Sequence, residues 1–206
     1  MTAPMRPRIG DHYLDSGPLF CLGGSGVLAD LFDADLLLNS RVAAAVVGEV
    51  HRNAALVLPP VGPHPKRRIH HAARVVRSRY KPLLESAPPV PAPAPQLLAS
   101  IKADLTARAV AKLRPGQHLH PSANDGEAES VYWAATQSVE VVTNDSDAHQ
   151  LARKHQVTSS TFVEVVRHLV KAQKVVSRRT IFGELMTLSR RDIFPGEHIT
   201  SELDLV

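Results

Sequence analysis

Apolar residues recur at helical spacing along most of the chain, and the places where that rhythm breaks organise the rest. Val42, Val46, Val47 and Val50 form one face of a helix expected over 41–55, with Ser40 as its N-cap. The same periodicity predicts helices over 25–32, over 96–113 through Leu97, Leu98, Ile101, Leu105, Ala109 and Leu113, and over 127–137 through Val131, Ala134 and Ala135. Further helices are expected over 146–155, over 160–171 through Phe162, Val165, Val166, Leu169 and Val170, and from 178 to about 190 behind a Ser177 cap. Two runs break the pattern. Tyr13 and Leu14 suit a first strand stopped by Gly17 and Pro18, and Val139-Glu140-Val141-Val142-Thr143 reads as a short buried strand. In an open parallel α/β sheet the carboxyl edge of the strands is where ligands bind.

The acids gather where that edge is expected. Asp15 and Ser16 follow the first strand, Asp145 and Asp147 follow the second, Glu127 and Glu129 open the 127–137 helix, and Glu49 borders the valine face of its helix. Carboxylates delivered there from separate elements can converge on one hard cation. Capping competes with this reading. Asn124 and Asp125 can cap the 127–137 helix, with Glu127 closing a capping box and Glu129 complementing the positive helix end. Asp145 and Asp147 can cap the next helix, and Asp15 can close an Asx turn. A carboxylate beside a buried stripe, as Glu49 is, needs a partner or must snorkel to solvent.

The segment over 59–116 differs from its surroundings. Pro59, Pro60, Pro63 and Pro65 break the chain, and the stretch over 66–81 then carries seven Lys and Arg with His70 and His71. Arg67, Arg74 and Lys81 are spaced by sevens, which places them on one helix face, opposite Ile69, Ala72, Ala73, Val76 and Tyr80. That face suits phosphate contacts, against the alternative of a solvated basic surface. The run over 86–96 is a polyproline-like spacer. His118 and His120, two apart in a loop without cysteine partners, suit the surface better than a zinc site.

Composition narrows the picture. The 206 residues, 44% hydrophobic and 21% charged, suit one globular domain with an elaboration. A net charge of +4 and a pI near 9.5 favour a polyanionic partner. The single cysteine, Cys21, leaves no internal disulfide and suits a small core residue. No apolar run approaches the roughly 20 residues of a membrane span, and the first residues lack a signal-peptide core, so a cytoplasmic location without membrane contact is expected.

The order of these pieces, strand-Asp15-Ser16, Glu49 in VVGEV, GEAE at 126–129 and VVTND at 141–145, resembles the PIN-domain nucleases, most of them ribonucleases that include toxins of the VapC type. Glu127 precedes Asp145 by eighteen residues, with Ala134 and Thr143 where the family places a small residue and a Thr or Ser. The resemblance covers about 10–58 and 117–175. It implies a three-layer α/β/α PIN-like fold around a mostly parallel sheet, with the basic, Pro-rich 59–116 as a helical insertion and about 176–206 as a helical extension. It also implies an acidic pocket of Asp15, Glu49, Glu127 and Asp145, supported by Glu129 and Asp147, with Glu129 standing beside Glu127 as the alternative direct ligand. Ser16 and Thr143 would orient carboxylates or bound water. Such a cluster repels itself until Mg²⁺ or Mn²⁺ binds, and those ions are what phosphodiester hydrolysis requires.

The expected activity is therefore metal-dependent endoribonuclease action on RNA, with Arg67, Arg74 and Lys81 holding phosphates. A toxin role would bring a small antitoxin protein, and a second copy of the chain is a further expected partner. The alternative is a nucleic-acid-binding or partner-binding module that keeps the fold without turnover.

Overall fold

The computed structural model describes residues 10–59, 64, 66–90, 94–172, 177–190, 193, 199–201 and 205. The N-terminal residues 1–9, the middle of the expected polyproline-like spacer at 91–93, and most of the chain after 190 lie outside them. In chain order the elements are β1 (His12–Leu14), α1 (Ser16–Gly24), α2 (Gly26–Asp35), β2 (Ser40–Arg41), α3 (Ala44–Ala54), α4 (Arg67–Arg79), α5 (Lys81–Glu85) and α6 (Gln96–Ala111). They continue as α7 (Asp125–Gln137), β3 (Glu140–Val142), α8 (Ser146–Lys154), β4 (Ser159–Ser160), α9 (Phe162–Ala172) and α10 (Arg178–Arg190).

The described strands form one parallel sheet in the order β2-β1-β3-β4. Its register sets Tyr13 beside Val141 and Leu14 beside Val142. Successive strand residues face opposite ways, and the two hydrophobic clusters follow that alternation. Leu14 and Val142 join the cluster built with α1, α2, α3, α4, α9 and α10. Tyr13 and Val141 join the one built with α6, α7 and α8. Helices thus cover both faces of a parallel sheet, in three α/β/α layers. Among the described residues no helix is long and apolar enough to cross a membrane.

Several expectations are corrected. Gly17-Pro18 does not end a strand in a loop; it lies in the first turn of α1, where a proline's missing N–H costs nothing and Asp15 supplies the cap. Ser40 is a strand residue, its hydroxyl donating to the Leu36 carbonyl at 2.8 Å and paired with His12 Nε2 at 3.0 Å, so α3 starts behind the apolar Ala43. The basic helix expected over 66–81 ends at Tyr80, because Pro82 has no N–H for a continuing helix and opens α5 instead. Lys81 therefore lies on a different helix from Arg67 and Arg74, and pairs with Glu85 at 3.6 Å.

The described helices of the 59–116 segment pack into the core. Ala72, Ala73 and Val76 of α4 are fully buried against α1 and α3, and Leu98, Ile101 and Leu105 of α6 pack under α7 and α8. Gly23 makes the α1/α4 approach feasible, since a Cβ there would fall 2.3 Å from the Ala72 carbonyl oxygen. The C-terminal extension is equally integral, with Ile181, Leu185 and Leu188 of α10 buried in the same cluster.

Candidate functional site

At the carboxyl edge of the sheet, a cavity of about 280 Å³ opens between the two helical layers. Asp15, Glu49, Glu127 and Asp145 line it, from four separated segments, together with Ser16, Asn144 and an apolar wall of Phe20, Ile69 and Ile193. The arrangement follows from where three helices begin. Asp15 ends β1 and caps α1, accepting from the Ser16 N–H at 2.7 Å. Asp145 follows β3 and caps α8 through the Asp147 and Ala148 N–H groups at 2.7 and 2.8 Å. Glu127 occupies the first turn of α7. The capping and clustering readings are thus both true of Asp15 and Asp145, because the helix amino ends that need caps also converge on the cavity.

Thr143 ties two of the acids together. Its buried hydroxyl donates to Asp15 Oδ2 at 2.8 Å and accepts from the Asp145 N–H at 3.1 Å. Ser16 hydrogen-bonds the Glu49 carboxylate. His149, overlooked in the sequence, holds the Thr143 carbonyl through Nε2 at 3.0 Å and meets Ser159 through Nδ1 at 2.9 Å. Asn144, also overlooked, accepts from the Phe162 N–H at 3.1 Å and so fixes the start of α9. Its place inside VVTND, between the tethering threonine and the capping aspartate, is the signal that could have found it. Gly126 brings the α7 backbone close, since a Cβ there would lie 3.5 Å from Asp15 Oδ1 and 3.6 Å from Glu49 Oε2. A larger side chain at 126 would fill the site.

The electrostatics are those of a crowded, desolvated anion cluster. Burial, opposed by the bonds from Thr143 and Ser16 and reinforced by Glu49 and Asp145, pushes Asp15 up to about 7. Burial and then the Asp15 charge push Glu127 higher still. Burial also raises Glu49, against the Ser16 bond and the Arg52 charge. Among the described residues no Lys or Arg lines the cavity.

The structure does not bring every expected acid there. Glu129 is buried and turned away, its Oε2 accepting from the Ala45 N–H at 2.9 Å, so it supplies the cap that α3 lacks locally. Asp147 points to α6, where it meets Lys112 Nζ at 2.5 Å and Arg108 Nη1 at 3.9 Å. Glu127, not Glu129, faces the cavity. Of the expected phosphate contacts, Arg67 donates to the Pro59 carbonyl at 2.7 Å and Arg74 is exposed, while Lys81 sits on α5. His118 and His120 are exposed.

Carboxylate oxygens are hard donors, of the kind that Mg²⁺ or Mn²⁺ takes in preference to softer metals. Among the described residues no group of three or more His, Cys, Asp or Glu side chains is close enough together to hold a metal ion as it stands. The acids ring the cavity instead of meeting at a point. A larger cavity, about 680 Å³, lies at the amino edge of the sheet among Gly10, Asp11, Glu140 and Thr158, at the other end from these acids. A scan against protein-family models finds no match, and searches of curated proteins and of solved structures find none either.

Proposed function

We propose that the protein is a metal-dependent endoribonuclease of the PIN-like type. The observation that carries the reading is the convergence of Asp15, Glu49, Glu127 and Asp145, from four separated segments, on one cavity at the carboxyl edge of a parallel sheet. Capping alone gives no reason for Glu49, in the middle of α3, to face the same space as three helix amino ends. In this reading those four side chains would hold Mg²⁺ or Mn²⁺, which when bound supplies the charge neutralisation and water activation that phosphodiester hydrolysis requires.

The chain's own groups prepare the site. Thr143 and Ser16 hold Asp15 and Glu49 in fixed orientations, so the acids need not reorganise when substrate arrives. The amino ends of α1, α7 and α8 present partial positive charge to the acids and lower the cost of gathering them. Phe20, Ile69 and Ile193 exclude water from one side of the cavity. The test is cleavage of total cellular RNA by purified protein with Mn²⁺, with ends mapped. Cleavage lost in Asp15→Asn and Asp145→Asn supports the reading, and no cleavage of any RNA, or cleavage retained in both variants, sinks it. The resemblance extends the proposal to a toxin, with a small antitoxin protein as the partner to seek by co-purification.

A second reading, a nucleic-acid-binding module without turnover, is favoured by the acid-free, arginine-rich α4. Calorimetry separates the two. An enzyme should bind Mn²⁺ in a manner lost in Asp15→Asn, and a pure binder should show no such dependence.

A further inference from the structure

Cations flank the acidic cavity on both helical layers. On the α1/α3 side, α4 contains no acid, and its first turn carries Arg67 and Arg68 beside Ile69, which lines the cavity. The two guanidinium groups donate to the carbonyls of Pro59 and Arg190, at 2.7 and 2.8 Å. The acceptor of Arg68 is a neutral carbonyl, which fixes that side chain and leaves its charge in place. Arg74 follows, exposed, about 9 Å along the helix from Arg68.

On the α7/α8 side, the carboxyl end of α6 supplies a second bank that the sequence reading overlooked. Arg108 and Lys112 both approach Asp147, at 3.9 and 2.5 Å. Asp147 in turn donates its N–H to Asp145 Oδ1 at 2.7 Å, so this cluster stands beside the cavity wall. Two cations share one carboxylate, which leaves an excess of positive charge, and Arg114 beyond them is exposed.

We propose that a single-stranded nucleic acid is held across the cavity between these two cationic edges, with Asp147 competing with the phosphates for Lys112 and Arg108. The identity of the occupant rests on the nuclease reading; the track itself rests on the charges. A ring of carboxylates repels a polyanion, and cations on only one side would leave half of the strand's path unfavourable. Banks on both layers steer the strand over the acids from either direction.

The test is fluorescence anisotropy of a short labelled single-stranded RNA against salt concentration, in EDTA so that no cleavage intervenes. Arg68→Gln with Arg74→Gln, and separately Arg108→Gln with Lys112→Gln, should each flatten the slope of log affinity against log salt by about 1.4, and all four together by about 2.8. Asp147→Asn should act oppositely, tightening binding and steepening the slope, a gain that a merely structural role for the ion pair would not give. An unchanged slope in the α6 pair, or weaker binding in Asp147→Asn, overturns the proposal, as does polyglutamate displacing the RNA as well as unlabelled RNA does. Because cleavage is scored separately with Mn²⁺, a protein that binds along both banks but cuts nothing keeps the track and loses the nuclease reading.

Discussion

Thr143 shows how much one hydroxyl can determine. It is fully buried, donates to one carboxylate and accepts from the backbone N–H of the residue that carries another. Replacing it by valine keeps the shape and removes both bonds, leaving a buried carboxylate oxygen and an N–H unsatisfied. The expected cost is about 1–3 kcal/mol of stability by urea denaturation, with Thr143→Ser recovering most of it. An unaltered midpoint in Thr143→Val would mean that Asp15 does not depend on this bond. At this scale the sequence was a good guide where a residue's direction follows from its own element. Asp15 and Asp145 directly follow strands, so their place at the carboxyl edge could be read from the strands alone. Glu129 and Asp147 lie two residues from true cavity residues, and only tertiary packing decides that one reaches α3 and the other α6.

Helix starts tell a related story at the level of elements. The valine periodicity of α3 was legible, but its cap was not, because the carboxylate that satisfies Ala45 comes from Glu129, 84 positions away. Glu129→Ala should therefore cost about 1 kcal/mol of stability, as loss of a helix cap does, and leave Mn²⁺ binding intact. Glu127→Gln should do the reverse, removing the Mn²⁺-induced rise in Tm while leaving the metal-free fold at least as stable. If the two variants exchange these behaviours, Glu129 is the ligand. Short or punctuated elements were the ones the sequence hid. β4 is two serines, with no apolar signature, and is recruited by the edge of β3. α1 was concealed by Gly17-Pro18, a pair that ends helices in their interior yet is harmless in a first turn. The core contribution of α4 and α6 was hard to read because charge and proline dominate the composition there, while the buried faces are only Ala72, Ala73 and Val76 on one and Leu98, Ile101 and Leu105 on the other.

For the whole molecule, the acid cluster predicts how stability and metal affinity move with pH. In the unfolded chain Asp and Glu titrate near about 4. In the fold burial pushes Asp15 up to about 7, and Glu49 and Glu127 are raised as well. Between the unfolded and folded values the folded protein binds more protons than the unfolded one, so the contribution is fully present below about pH 4 and is lost as pH rises through about 7 for Asp15 and about 9 for Glu127. His12 works against that trend, since burial lowers its pKa and its contribution grows as pH rises through its ordinary range. The comparison that isolates the cluster is therefore between variants: relative to the wild type, metal-free Asp15→Asn/Glu127→Gln should gain stability progressively from pH 5 to pH 8. Metal reverses the wild type's loss, because a cation can bind only as the carboxylates give up their protons. Mn²⁺ should then raise the Tm of the wild type far more at pH 8 than at pH 5.5, with an affinity that climbs by roughly tenfold per pH unit for each proton released. A Tm shift on adding Mn²⁺ that is the same at both pH values, or that survives in the double variant, would show that the ion binds somewhere other than between Asp15 and Glu127.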